Sequence, residues 1–222
     1  LRLLKMSPPP DEMNPIAPAA GSWLNDTQVD FSWEIITTTS QVLTTTFTVS
    51  TDAAQSNQLV SQMWNTAVLN HSHDFGAEQP ALYWQATAVV KHTDDTLETL
   101  NTPVIQFGID TTVPTSTITA VYQMPTDDFL VQWSGSDNLS GLAGFTLAYR
   151  AQGEMDWTTW LTDTTAVSAF FTPPDPAQFY EFQILAKDVA GNSQPASTPA
   201  ADLGTEQAIP LPHAIMLPLI TK

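Results

Sequence analysis

The chain has 222 residues, a formal net charge of −17 and no cysteine, with 42% apolar and 13% charged residues. This composition excludes a disordered chain, a coiled coil, a disulfide framework and thiol chemistry. The shortage of basic side chains excludes nucleic-acid binding and attachment to an anionic membrane, and no apolar run reaches the about 20 residues that a membrane-inserted helix requires.

Alternation of apolar and polar residues predicts β-strands along most of the chain. In chain order it is clearest at residues 28–33, 82–90, 128–133 and 180–186. A period of two indicates strands that bury one face. Residues 57–69 also allow a short helix, and the sequence leaves that alternative open. The 17 prolines against 9 glycines favour short strands with stiff connections, and we predict an all-β protein.

Two pairs of landmarks indicate an internal repeat. Trp33 and Trp133 lie 100 residues apart, and Trp84 and Phe182 lie 98 apart, which predicts two copies of one unit. The connector falls at residues 110–117, where a proline stiffens the chain. We predict four parts: an N-terminal extended segment at 1–10, a first domain at 11–110, a second domain at 111–202 and an apolar C-terminal tail at 203–222.

The second unit resembles bacterial fibronectin type III domains. Residues 131–150 (VQWSGSDNLSGLAGFTLAYR) carry the tryptophan of strand B, a polar turn and a strand C that ends in an aromatic residue. Residues 180–192 (YEFQILAKDVAGN) are similar to strand F and its following loop. The resemblance implies an immunoglobulin-like sandwich in which the hydroxyl of Tyr180 binds nearby backbone, as a corner tyrosine does. Trp157 and Trp160 stand where such domains often have paired tryptophans.

The first unit resembles the same family at fewer positions. Residues 21–33 and 81–88 are similar to strands A–B and F, but Leu82 occupies the position of the corner tyrosine and no D-x-A-G-N loop follows. The two resemblances imply a fold of two tandem immunoglobulin-like, fibronectin type III sandwiches with extended terminal segments. They also imply a secreted or cell-surface bacterial protein, so we expect an extracellular location.

His71, His73 and Asp74 are the first potential metal ligands, in a segment expected to be a loop. Two histidines at i and i+2 on an extended segment point the same way and could hold a transition metal. The alternative is a polar loop that lacks a third and a fourth ligand. His92 could add a ligand only if the fold brings it near.

Five residues close to predicted turns offer oxygen ligands for calcium: Asp127, Asp128, Asp137, Asn138 and Asp188. A hard cation prefers several oxygen ligands, although no EF-hand spacing is present. The alternative is that Asp137 only organises its own turn by hydrogen bonds to backbone amides. No other cofactor is expected.

Trp157 and Trp160 could form a platform on which a sugar stacks, or could cover the edge of a sandwich. Asn25, Asn70 and Asn138 each begin an N-x-S/T sequon and are potential glycosylation sites.

The sequence contains no recognisable catalytic constellation, so we predict a protein that is not an enzyme. The G-x-S-x-G elbow is absent, and no carboxylate spacing distinguishes an acid from a base. The favoured function is a structural or adhesive rod whose terminal segments join another copy of the chain or a parent surface protein. The alternatives are the accessory region of a secreted hydrolase and a carbohydrate-binding module.

Overall fold

The computed structural model describes residues 10–196 and 203–210, and nearly all of the ordered structure is β. The chain divides into two compact units between Thr111 and Thr112. Across the described ranges the only helix is one 3-10 turn at Thr205–Gln207, and no helix is long and apolar enough to cross a membrane. The all-β prediction is confirmed.

The first unit is a sandwich of a three-stranded and a six-stranded sheet. Its strands are β1 (Glu12–Ala17), β2 (Ser22–Leu24), β3 (Gln28–Ile36), β4 (Gln41–Ser50), β5 (Gln58–Trp64), β6 (Asn70–Asp74), β7 (Gln79–Lys91), β8 (Leu97–Asn101) and β9 (Ile105–Ile109). The smaller sheet has the order β1-β3-β6. The larger has the order β2-β9-β7-β4-β5, with β8 also paired to β7. The segment for which a helix was the alternative therefore contains strand β5.

An aromatic cluster fills the space between these two sheets. Trp33 stacks on Phe47 with 5.5 Å between ring centroids, and both lie against Trp84. All three side chains are fully buried, as the alternation along β3 and β7 predicts. The indole N–H of Trp84 donates to the carbonyl oxygen of Pro18 at 3.2 Å, which ties the turn between β1 and β2 to the core.

The second unit is a sandwich of two four-stranded sheets. Its strands are β10 (Thr115–Gln123), β11 (Phe129–Ser136), β12 (Leu142–Ala151), β13 (Thr158–Thr164), β14 (Ser168–Phe171), β15 (Tyr180–Asp188), β16 (Leu203–Gly204) and β17 (Ile209–Pro210). The sheet orders are β14-β11-β10-β17 and β13-β12-β15-β16. Trp133 and Phe182 lie on the inner faces of these sheets and are buried, as predicted.

The predicted corner tyrosine is present in the second unit. Tyr180 begins β15, is almost fully buried, and its hydroxyl accepts a hydrogen bond from the backbone N–H of Asp175 at 3.0 Å. The bond returns from the start of a strand to backbone a few residues upstream, as it does in immunoglobulin-like sandwiches.

Part of the sequence assigned to the C-terminal tail belongs to the second sandwich. Strand β16 pairs antiparallel with β15, and β17 pairs parallel with β10. Thr205 between them is buried, and its hydroxyl accepts a hydrogen bond from the backbone N–H of Tyr180 at 2.8 Å. Residues 203–210, which were expected to form part of the tail, instead add short strands to both sheets of the second unit. Residues 1–9 and 211–222 of the predicted terminal segments lie outside the described residues.

Candidate functional sites

His71 and His73 lie on strand β6 at an edge of the smaller sheet of the first unit, so the expectation of a loop there is wrong. Their rings share one face of the strand, with centroids 6.4 Å apart. His71 packs against Phe47 at 5.1 Å, and His73 packs edge-on against Phe75 at 4.7 Å. The two histidines thus close one margin of the aromatic core.

Asp74 does not join these two imidazoles. It alternates to the exposed face of β6, where its carboxylate accepts a hydrogen bond from the N–H of Gly76 at 2.9 Å. A hydrogen bond from the Thr27 side chain, together with the Gly76 bond, holds the pKa of Asp74 below its ordinary value. Burial lowers the pKa of His71, and the charge of His73 lowers it further, so His71 favours the neutral form. Metal binding by His71 and His73 stays a prediction.

Asp137 and Asp188 both organise loops of the second unit. One carboxylate oxygen of Asp137 accepts hydrogen bonds from the N–H groups of Leu139 and Gly141, at 3.1 and 2.7 Å. Gly141 has φ +86°, a conformation that suits glycine and closes the turn. The turn predicted around Asp137 is therefore present.

The loop after β15 is built on Asp188, which is almost fully buried. One of its oxygens accepts from the N–H groups of Gly191 and Asn192, both at 2.7 Å. The other accepts from the side-chain amide of Asn192 at 2.8 Å. The D-x-A-G-N motif thus encodes a self-capped loop, and a calcium role for these carboxylates stays a prediction.

Trp157 and Trp160 have different surroundings. The Trp160 ring faces the core, with its centroid 5.4 Å from that of Phe171 and 5.8 Å from that of Phe182. The Trp157 ring lies outside it, covered by the guanidinium of Arg150 at 4.4 Å from the ring centroid. Trp160 therefore packs against the core and Trp157 does not, and stacking of a ligand on Trp157 stays a prediction.

The asparagines of the three sequons are exposed. Asn25 follows β2 and Asn138 follows β11, both in connecting segments, whereas Asn70 is the first residue of strand β6. Each is placed where a glycan would meet solvent, and glycosylation stays a prediction.

A cluster that the sequence analysis did not assemble lies at one end of the first sandwich. It consists of Asp11, immediately before β1, His92, immediately after β7, and Glu98 on β8. A potential ligand atom from each lies within 4.8 Å of the others. The signal in the sequence is the pair His92 and Glu98, which flank a turn of the type T-D-D-T and so meet across a hairpin. Asp11 is remote in sequence, and only the topology brings it there.

The turn in this hairpin is well defined. The N–H of His92 donates to the carbonyl of Thr96 at 2.9 Å, and Asp95 has φ +68°. Asp94 accepts from the hydroxyl of Thr96 at 2.6 Å and from its N–H at 3.1 Å, which lowers the pKa of Asp94. The hairpin register then places Glu98 opposite Val90, within reach of His92.

A groove of about 260 Å³ opens between β11 and β12 of the second unit. Its lining contains no acid, base or imidazole, being formed by Ser134, Gly135, Leu142, Ala143, Gly144, Phe145, Thr165 and Val167. Such a lining lacks the paired proton donor and acceptor that general acid–base catalysis needs.

No family model matches the chain, and no curated protein matches its sequence. Among solved structures, it is similar to the crystal structure of the chicken CNTN1 FN1-FN3 domains, with 14% sequence identity and a TM-score of 0.41. The match covers 85% of this chain and 66% of that chain, so this chain spans less than two thirds of the length of the protein it matches.

Proposed function

We propose that this chain is a non-catalytic, extracellular structural or adhesive module that self-associates through strand β5 of the first unit. The observation that carries the proposal is that the outer edge of β5 is exposed and uncharged. Strand β5 is the last strand of the six-stranded sheet, and among the described strands it pairs with β4 alone. Its outward-facing Met63 is 66% exposed. An open edge of this kind is a template for pairing with another strand.

The sequence of β5 (QLVSQMW) has few of the features by which proteins protect a sheet edge. It contains no lysine, no proline and no charged residue. A bulge at Leu59 interrupts its ladder with β4 at one end, and residues 60–64 continue in regular register. Five regular, uncharged residues suffice for a short intermolecular ladder.

A second copy of the chain is the occupant that these residues favour. Antiparallel pairing of two β5 strands about a two-fold axis at Gln62 sets Met63 of one copy opposite Ser61 of the other. The same pairing sets Val60 opposite Trp64. No charge is brought against a like charge, which matters for a chain with a net charge of −17.

The use already made of the polar side chains supports a non-catalytic role. Asp188 accepts three hydrogen bonds within its own loop, and Asp137 accepts two from backbone N–H groups. The imidazoles of His71 and His73 pack on aromatic rings at the core margin. A site for catalysis requires groups that converge on a space for substrate, and these groups instead serve the loops and the core.

Self-association can be tested by light scattering on the purified chain over a range of protein and salt concentrations. We expect dimers whose stability rises with ionic strength, because salt screens the repulsion between two acidic copies. The double variant Ser61→Lys/Met63→Lys places like charges opposite each other in the proposed pairing and should return the chain to monomer.

The matched control carries the same two added charges away from β5. Met155→Lys/Val189→Lys substitutes two exposed apolar residues outside the strands, and it should associate like the parent. A parent chain that stays monomeric at all concentrations, or equal loss of association in both double variants, overturns the proposal. A second pair of samples, the parent and a chain that ends at residue 210, separates association through β5 from association through residues 211–222.

A further inference from the structure

Asp11, His92 and Glu98 form a cluster at one end of the first sandwich, independent of the function proposed above. Asp11 leads into β1 of the smaller sheet, whereas His92 and Glu98 belong to the β7–β8 hairpin of the larger sheet. One potential ligand atom of each lies within 4.8 Å of the others. The cluster therefore spans the two layers of the sandwich.

Asp11 is the unusual member of this cluster. Its side chain is only 4% exposed. One carboxylate oxygen accepts a hydrogen bond from the N–H of Thr38 at 3.3 Å. The other oxygen, Oδ2, is buried and has no hydrogen-bond partner among the described residues, and it lies 3.8 Å from Nδ1 of His92. A buried carboxylate oxygen without a partner is unfavourable unless a cation or a donor satisfies it.

The imidazole of His92 is held from both sides. Its Nδ1 lies 2.7 Å from the hydroxyl oxygen of Ser40, and its Nε2 lies 3.0 Å from Oε2 of Glu98. A metal-binding histidine usually donates the N–H of its second ring nitrogen to an oxygen acceptor, and the Ser40 hydroxyl is in position to be that acceptor. Ser40 stands in the connection between β3 and β4, which also supplies the N–H of Thr38.

We propose that Asp11, His92 and Glu98 form a binding site for one divalent transition-metal ion, of which Zn²⁺ is the best-fitting example. One imidazole and two carboxylates are donors that Zn²⁺ accepts at about 2.0–2.2 Å, whereas Ca²⁺ and Mg²⁺ prefer oxygen alone. The ion replaces the hydrogen bond between Nε2 of His92 and Oε2 of Glu98 and gives the buried Oδ2 of Asp11 a partner. Glu98 is about half exposed, which leaves it free to rotate toward the ion.

Metal binding should stabilise the first unit. The ion ties the entry to β1 in one sheet to the β7–β8 hairpin in the other. A ligand that binds only the folded state stabilises it by mass action, so Zn²⁺ should raise the melting temperature of the first unit. Because Asp11 stands at the start of the first domain, the ion would hold that start against the β7–β8 hairpin.

Isothermal titration of the metal-free full chain with ZnCl₂ tests the proposal directly. We expect one ion per chain. Each of Asp11→Asn, His92→Gln and Glu98→Gln should weaken binding by about tenfold or more, since even loss of an outer-shell partner typically weakens a metal site 10–100-fold. Asn and Gln preserve the size of the replaced carboxylates, and the exposed position of Glu98 makes Glu98→Gln a variant that folds even if Asp11→Asn does not.

The matched control is His213→Gln, which removes another imidazole and should leave the stoichiometry and affinity of this site unchanged. In calorimetric scans Zn²⁺ should raise the melting temperature of the first unit in the parent and in His213→Gln, by about 10 °C at a concentration a hundredfold above Kd. It should not do so for His92→Gln. Absence of zinc binding, or binding that His92→Gln and Glu98→Gln leave intact, overturns the proposal.

Discussion

The hydroxyl of Tyr180 accepts a hydrogen bond from the backbone N–H of Asp175, at 3.0 Å. The bond joins the first residue of β15 to the connection that precedes it, and the ring of Tyr180 packs on Phe171 at 5.4 Å. In the first unit, Leu82 stands on the corresponding strand, and it is fully buried. The two sandwiches therefore secure the same corner by different means, one by a directed hydrogen bond and the other by apolar burial.

Removal of this hydroxyl should weaken the second unit alone. Tyr180→Phe keeps the ring and loses the bond, so we expect the free energy of unfolding of that unit to fall by about 1 kcal/mol. Chemical denaturation of the full chain measures the change. The matched control is Tyr149→Phe, since the ring of Tyr149 packs against the ring of Tyr180, with 5.9 Å between their centroids. Equal losses in the two variants would contradict a specific role for the corner bond.

The two deepest indoles of the first unit differ in one respect that mutation can expose. The N–H of Trp84 donates to Pro18, whereas Nε1 of Trp33 is buried and has no hydrogen-bond partner among the described residues. Trp84→Phe therefore removes a hydrogen bond and leaves the carbonyl of Pro18 without this donor. Trp33→Phe removes an indole N–H that makes no hydrogen bond to the described residues. We expect Trp84→Phe to cost about 1 kcal/mol or more beyond Trp33→Phe in unfolding experiments. A larger loss for Trp33→Phe would show that the difference in ring packing outweighs the hydrogen bond.

Much of the fold could be predicted because its signals are local. The alternation around Trp133 and Tyr180 reports which face of a strand is buried, and the D-x-A-G-N motif contains both the acceptor and the donors of its loop. The Asp11–His92–Glu98 cluster could not be predicted, because Asp11 approaches the hairpin only after two sheets have packed. The segment 203–210 was misassigned for a similar reason. Two-residue strands such as β16 and β17 have no period to detect, and their place depends on the edges already formed by β15 and β10.

His71 should make the first unit less stable in mild acid. Burial and the charge of His73 lower its pKa from the ordinary value of 6.5, so the unfolded chain binds the proton more readily than the folded chain. Stability should therefore rise with pH through the window below about 6.5, and it should be lost as pH falls through that window toward the folded pKa. Denaturation with a chelator present, at several pH values between 4.5 and 7.5, measures the slope.

His71→Gln should reduce this slope, whereas His213→Gln should keep it. The acidic groups with lowered pKa values, Asp52, Asp74 and Asp94, have an ordinary value of 3.8, so their stabilising contribution is lost only at lower pH. An unchanged slope in His71→Gln would assign the acid sensitivity to another group.

Thr205 is the residue on which the assignment of segment 203–210 to the second sandwich can be tested. Its hydroxyl accepts the backbone N–H of Tyr180 at 2.8 Å, and the side chain is buried. Thr205→Val keeps the shape of the side chain but leaves that buried N–H without its acceptor, which should cost about 1–3 kcal/mol of unfolding free energy. Thr205→Ser retains the hydroxyl and should cost less. If the segment were a detached tail, both variants would have the same free energy of unfolding as the parent. If it completes the sandwich, Thr205→Val and Tyr180→Phe act at the same corner, and their combined effect should depart from the sum of the single effects.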